Sequence, residues 1–162
     1  MTQEAAEPWR AIIASALDWQ EAHTTLEAAA ADLPPEDRGR RPAHLPYSAW
    51  ELLEHIRRAQ ADLVDFMVNS AYAAPSWPAD YWPSQPAPLT AAAWEETLTA
   101  IRHDRERLQQ LASNPDLDLT SRIPWGDGQT YLRTILVAVD HAAYHVGQLV
   151  AVRRLLGDWP TA

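Results

Sequence analysis

Two histidines, His141 and His145, stand four residues apart inside the apolar run VDHAAYHVGQLV. On a helix, residues i and i+4 lie one above the other, about 40° apart around the axis at about 100° per residue. Thr134, Ala138, Gln148, Leu149 and Val152 fall on the same face, so both imidazoles are expected to point where the apolar residues point. A third histidine, His55, falls on the stripe of Ala59 and Phe66 in an earlier helical segment, with Asp62 two turns beyond it. Inward imidazoles from two helices form a ligand set for Zn²⁺, Ni²⁺ or Fe²⁺, and three protein ligands leave positions open for water or substrate. On spacing alone, hydrogen-bonded core histidines remain an alternative. The metalloprotease pattern requires Glu directly after the first histidine; Ala142 stands there instead.

The elements that must position these groups are helices. Ile12, Ala16, Trp19, His23, Leu26 and Ala30 recur at steps of three and four after Pro8 and Trp9, which predicts one long helix ending at Leu33-Pro34-Pro35. Ser48-Ala49-Trp50-Glu51 is a capping box with Tyr47 and Leu52 placed as a hydrophobic staple; it opens a second helix from about Ser48 to about Ala71. Residues 73–89, AAPSWPADYWPSQPAPL, contain too many prolines for a helix. They nevertheless hold Trp77, Tyr81 and Trp82, and such a loop is expected to pack back onto the domain. A third helix is predicted from Thr90 to about Ala112, and a fourth from about Thr130 to Leu156 with Gly157 as its C-terminal cap. Between them, Trp125-Gly126-Asp127-Gly128 forms a turn, and no segment has a clear strand pattern. Four such helices predict an all-α single domain over residues 1–162, a four-helix bundle.

Around the three histidines, Gln148 and Asp62 are the candidate catalytic or supporting groups. Gln148 is one turn beyond His145 and could bond a coordinated water, a substrate or a neighbouring helix. Asp62 is a carboxylate on a core-facing stripe and therefore needs a partner. Glu51 is explained by the capping box. His23 reads as a structural residue, Tyr144 as core packing or, from its place beside the ligand face, the lining of a pocket, and the pairs Arg57-Arg58 and Arg153-Arg154 as solvated faces. Trp77, Tyr81 and Trp82 are candidate pocket residues, either as a wall over the metal or as a cover for helix ends.

Composition narrows the function. The formal net charge of −9 argues against non-specific nucleic-acid binding and against a basic membrane-surface helix. With no cysteine there are no disulfides, thiolate ligands or cysteine nucleophile. The start MTQEAAEPWR lacks an apolar signal core, and no apolar run reads as membrane-spanning; a cytoplasmic chain is expected.

The segments SAWELLEHIRRAQADL and DHAAYHVGQLVAVRRLLG, with one histidine in the second helix and H-x-x-x-H-x-G-Q in the last, resemble the DinB/YfiT-like superfamily of metalloenzymes. That superfamily includes bacillithiol- and mycothiol-dependent transferases. The length, the helix count and the long loop after the second helix agree with it as well. The resemblance implies an up-down-down-up bundle, a divalent metal held by His55, His141 and His145, and a homodimer. The metal would be zinc or nickel, with iron or manganese as further options.

Two functions of different class follow. One is a metal-dependent enzyme acting on a small-molecule substrate, a thiol-S-transferase or a hydrolase; lacking cysteine, it would need a low-molecular-weight thiol as cosubstrate. The other is a non-catalytic, stress-linked bundle that binds a ligand or a protein partner.

Overall fold

The computed structural model describes residues 8–160; the acidic start of the chain, read above as lacking a signal core, lies outside the described residues. Among the described residues the chain forms five helices and no strand: α1 (Pro8–Ala16), α2 (Leu26–Ala30), α3 (Ala49–Val68), α4 (Ala91–Ser113) and α5 (Tyr131–Leu156). The all-α class agrees with the sequence pattern. The first helix does not.

The stripe expected to run unbroken from Ile12 to Ala30 is interrupted between α1 and α2. Thr25 caps a new helix, its side chain accepting from the Ala28 amide, and a β-branched pair, Thr24-Thr25, favours extended backbone there. Trp19 is consequently exposed. His23 is exposed in the connection, its ring beside the carbonyl of Thr24, rather than packed in the core.

The longer helices begin where their caps dictate. Ser48 accepts from the Glu51 amide while the Glu51 carboxylate accepts from the Ser48 amide, so the capping box is complete. Thr90 and Thr130 cap α4 and α5, and Gly157 closes α5 at φ 85, a left-handed conformation that glycine adopts without a Cβ clash. Helix α3 stops earlier than expected, at Val68, because the Asn69 side chain accepts from the Ala71 amide and turns the chain.

The core is in two clusters. The first holds Leu52, Leu53, Ile56, Trp94, Ile101, Val146, Leu149 and Val152; the second holds Val64, Met67, Leu108, Ile135 and Ala138. Helices α3 and α4 both pass from the first cluster to the second along the chain, and α5 passes back. The connection between α3 and α4 must therefore return along the bundle. Gly39 makes room for it: a Cβ there would lie 2.3 Å from the Ala87 side chain.

Buried arginines fasten the helix ends. Arg153 donates to the carbonyls of Ala29, Ala31 and Asp158, and Arg10 to those of Asn114 and Leu117 just past α4. Carbonyls at helix C-termini lack intrahelical donors, so a guanidinium there satisfies several at once. The expectation of solvated faces thus fails for Arg153, which is buried. It fails for Arg57 and Arg58 too, which are half-buried and paired with Glu54.

Helix α5 is long and apolar enough in composition to cross a membrane, contrary to the sequence expectation. Its apolar side chains Ile135, Ala138, Val146, Leu149 and Val152 are buried in the two core clusters.

Candidate metal centre

Along α5 the second cluster ends at Ala138 and the first resumes at Val146. His141 and His145 fall in that gap, and His55 of α3 meets them there. The three offer one ligand atom each within 4.8 Å of one another. Ring centroids are 4.9 Å apart for His55 and His141, 4.7 Å for His55 and His145, and 4.4 Å for His141 and His145.

Two rings are oriented by what their Nδ1 atoms meet. His55 Nδ1 lies 3.0 Å from the carbonyl oxygen of Tyr81, and His145 Nδ1 lies 2.7 Å from Gln148 Oε1. Both partners can only accept, so Nδ1 carries the proton in each ring and Nε2 keeps its lone pair. His55 Nε2 and His141 Nε2 are 3.1 Å apart. Two nitrogens on one tetrahedral zinc, with Zn–N of about 2.0–2.1 Å, are separated by about 3.3 Å, so the observed spacing fits a shared ion.

The electrostatics suit the same purpose. Burial pushes His141 down to about 4, and the neighbouring His145 and His55 add to the shift. Burial also lowers His55, against the opposing bond to the Tyr81 carbonyl. In His145 burial again lowers the value, the Gln148 bond opposes it, and the nearby His55 reinforces it. All three imidazoles are neutral at neutral pH, the form that ligates a metal.

One side of the cluster opens into a cavity of about 490 Å³ lined by His55, His141 and His145 together with Asp62, Trp77, Tyr81, Trp82 and Tyr144. The proline-rich segment forms its wall by running back along α3. Tyr72 and Tyr81 donate their hydroxyls to the two oxygens of Asp62, each at 2.7 Å. Arg58 donates to the carbonyls of Asp80 and Trp82, and Ser48 to that of Pro86. Trp82 stacks flat on His55 with centroids 4.0 Å apart and 4° between planes, and Tyr47 stacks against the same indole at 6.4 Å.

The sequence-selected residues divide by position. His55, His141, His145, Asp62, Trp77, Tyr81 and Trp82 line one cavity. Gln148 holds the His145 ring instead of reaching another helix. Asp62 bonds neither His55 nor any other ring; its partners are the two tyrosines. Glu51 serves its cap and Arg41. Of the two readings of Tyr144 the structure supports pocket lining and not core packing: it is 63% exposed and lines the cavity. Tyr72 was missed; the unpaired carboxylate of Asp62 on a core-facing stripe was the signal that a donor had to arrive from elsewhere.

The pattern of the DinB superfamily matches residues 18–149. The chain belongs to the DinB superfamily. The matched region contains α2, α3, α4 and most of α5, and with them all three histidines and Gln148. None of the curated proteins and none of the solved structures compared with the chain matched it. Within the superfamily assignment, the histidine cluster is compatible with a metal-binding enzyme.

Proposed function

We propose that this DinB-superfamily chain is a divalent-metal-dependent enzyme acting on a small molecule, with His55, His141 and His145 as the protein ligands. The observation that carries the reading is the convergence of three neutral imidazoles at the mouth of a cavity of small-molecule size. A closed structural site has a fourth protein ligand, whereas three leave room for an exchangeable one. Zinc and nickel suit an all-imidazole set best.

When bound there, a divalent ion would lower the pKa of a water or thiol and so supply a nucleophile at neutral pH. The chain's own residues do the rest. Tyr81 and Gln148 fix the His55 and His145 rings. Trp82 covers one face of the His55 ring, and Trp77 and Tyr144 line the open cavity beside it. Among the described residues Asp62 is the one carboxylate lining the cavity, and both its oxygens are engaged by tyrosines. Because the chain has no cysteine, a thiol must come with a cosubstrate, and the reaction is a transfer to or from that thiol or a hydrolysis.

The test is elemental analysis of protein purified without an affinity tag, followed by a screen of thiol cosubstrates and hydrolysable esters and amides. About one divalent ion per chain and turnover lost in His145→Ala support the reading. A protein that takes up no divalent metal, or turnover indifferent to its removal, rejects it in favour of a ligand-binding bundle.

A further inference from the structure

We infer that the cavity beside the three histidines takes a ligand with one metal-binding donor and an uncharged aromatic body, and that it discriminates against charged thiols. This rests on the proposed metal site and narrows its substrate class.

The walls carry the argument. Trp77 is 69% exposed and Tyr144 63% exposed, and both line the cavity. Trp77 is tilted against Tyr81 with centroids 5.3 Å apart and edge-on to His55 at 6.4 Å; Tyr144 makes an edge contact with His145 at 5.0 Å. Most of their ring surface is uncovered, and a flat apolar body laid against the ring faces removes that surface from water.

Among the described residues, the same walls hold no cationic side chain. No arginine lines the cavity, and the chain has no lysine. Asp62, the one charged group there among the described residues, already accepts from the hydroxyls of Tyr72 and Tyr81. A ligand whose thiolate sits at the histidine end would place a sulfonate or carboxylate against the aromatic wall, where it loses water and gains no charged donor from a side chain. A cationic body would meet the aromatic faces, which favour it, but also the field of a divalent ion that three neutral imidazoles leave uncompensated. That same field favours a single anionic donor at the histidine end.

Cobalt-loaded protein titrated with three thiols tests this through the thiolate-to-cobalt absorption. The thiols are benzyl mercaptan, 2-mercaptoethanesulfonate and thiocholine. Benzyl mercaptan should bind at least about tenfold more tightly than either charged thiol, the equivalent of one favourable aromatic contact. In Trp77→Ala and Tyr144→Ala, both at largely exposed positions, that ratio should narrow to about threefold or less. Equal affinities, or tighter binding of either charged thiol, would overturn the inference. If cobalt is not taken up at all, the metal reading is what fails. Saturation-transfer NMR with benzyl alcohol on the metal-free protein then decides the wall: transfer to the ring that weakens in Trp77→Ala supports it, and no transfer overturns it.

Discussion

The carbonyl oxygen of Tyr81 sits 3.0 Å from His55 Nδ1. A loop backbone atom thereby fixes the tautomer of a helix-borne candidate ligand. The hydroxyl of the same tyrosine donates to Asp62, which lies about two helical turns past His55 on α3. The loop and the histidine cluster are thus one assembly: whatever seats the loop also turns the His55 lone pair toward His141 and His145. Groups that orient a metal-binding histidine through its far nitrogen commonly govern affinity.

Asp62→Ala leaves the Tyr72 and Tyr81 hydroxyls without their acceptor and loosens the segment that carries the Tyr81 carbonyl. Zinc affinity, measured by competition with a chromophoric chelator, should fall by about tenfold or more. Asp62→Asn keeps an acceptor and should recover most of the loss. A merely destabilising role would lower the melting temperature in both variants without moving the zinc competition curve, and that result would remove Asp62 from the assembly.

His145→Ala removes a ligand and frees the Gln148 amide. Metal content should drop from about one ion per chain to a small fraction, because two imidazoles hold zinc far less tightly than three. The helical circular dichroism should persist, since Leu52, Ile56, Ile135 and Leu149 are fully buried in clusters that do not need the ion. Loss of helicity on metal removal would instead make the ion structural.

The pairing of His141 with His145 follows from their spacing alone, and His55 from its place on the apolar stripe of α3. The capping box at Ser48 and Glu51 was equally legible, because it is a local pattern. What was hidden depends on contacts distant in sequence. The stripe through Ile12, Trp19 and Ala30 has the helical period, yet Thr25 can cap a new helix, and periodicity does not decide between a continued helix and a restart. Arg153 looks like a surface residue until the carbonyls of Ala29 and Ala31 are brought to it. Three aromatics in the proline-rich segment indicated that it packs, but its path depends on Asp62, Arg58 and Ser48 as successive anchors along α3. Gln148 showed its face and not its partner, because the choice between a neighbouring helix and the adjacent ring depends on the rotamer.

Arg153→Leu should destabilise the protein without touching the histidine cluster. The guanidinium is buried, and its removal leaves the carbonyls of Ala29, Ala31 and Asp158 without a donor. An unsatisfied buried acceptor costs about 1–3 kcal/mol, so urea unfolding should show a loss of at least about that size. Zinc affinity should match the parent protein. An unchanged urea midpoint would mean that water takes over these carbonyls.

The last prediction concerns acid. Burial alone would raise the Glu51 carboxyl, but the Arg41 side chain and the Ser48 amide bond its charged form and hold it below the ordinary value of 4.5. A carboxylate with a lower value in the folded than in the unfolded chain stabilises the fold above the unfolded value, and that contribution fades as pH falls through the folded one. Glu51→Gln removes the charge while keeping a side chain that can still accept from the Ser48 amide. At pH 7 it should lower stability by a few tenths of a kcal/mol up to about 1 kcal/mol, the scale of an ion pair with one exposed partner. The difference from the parent protein should shrink steadily once the pH drops below the ordinary carboxyl value. Urea midpoints for both proteins at neutral pH and in stepwise acid measure this directly. A gap that stays constant into acid would show that the charge of Glu51, and with it the Arg41 pairing, contributes nothing.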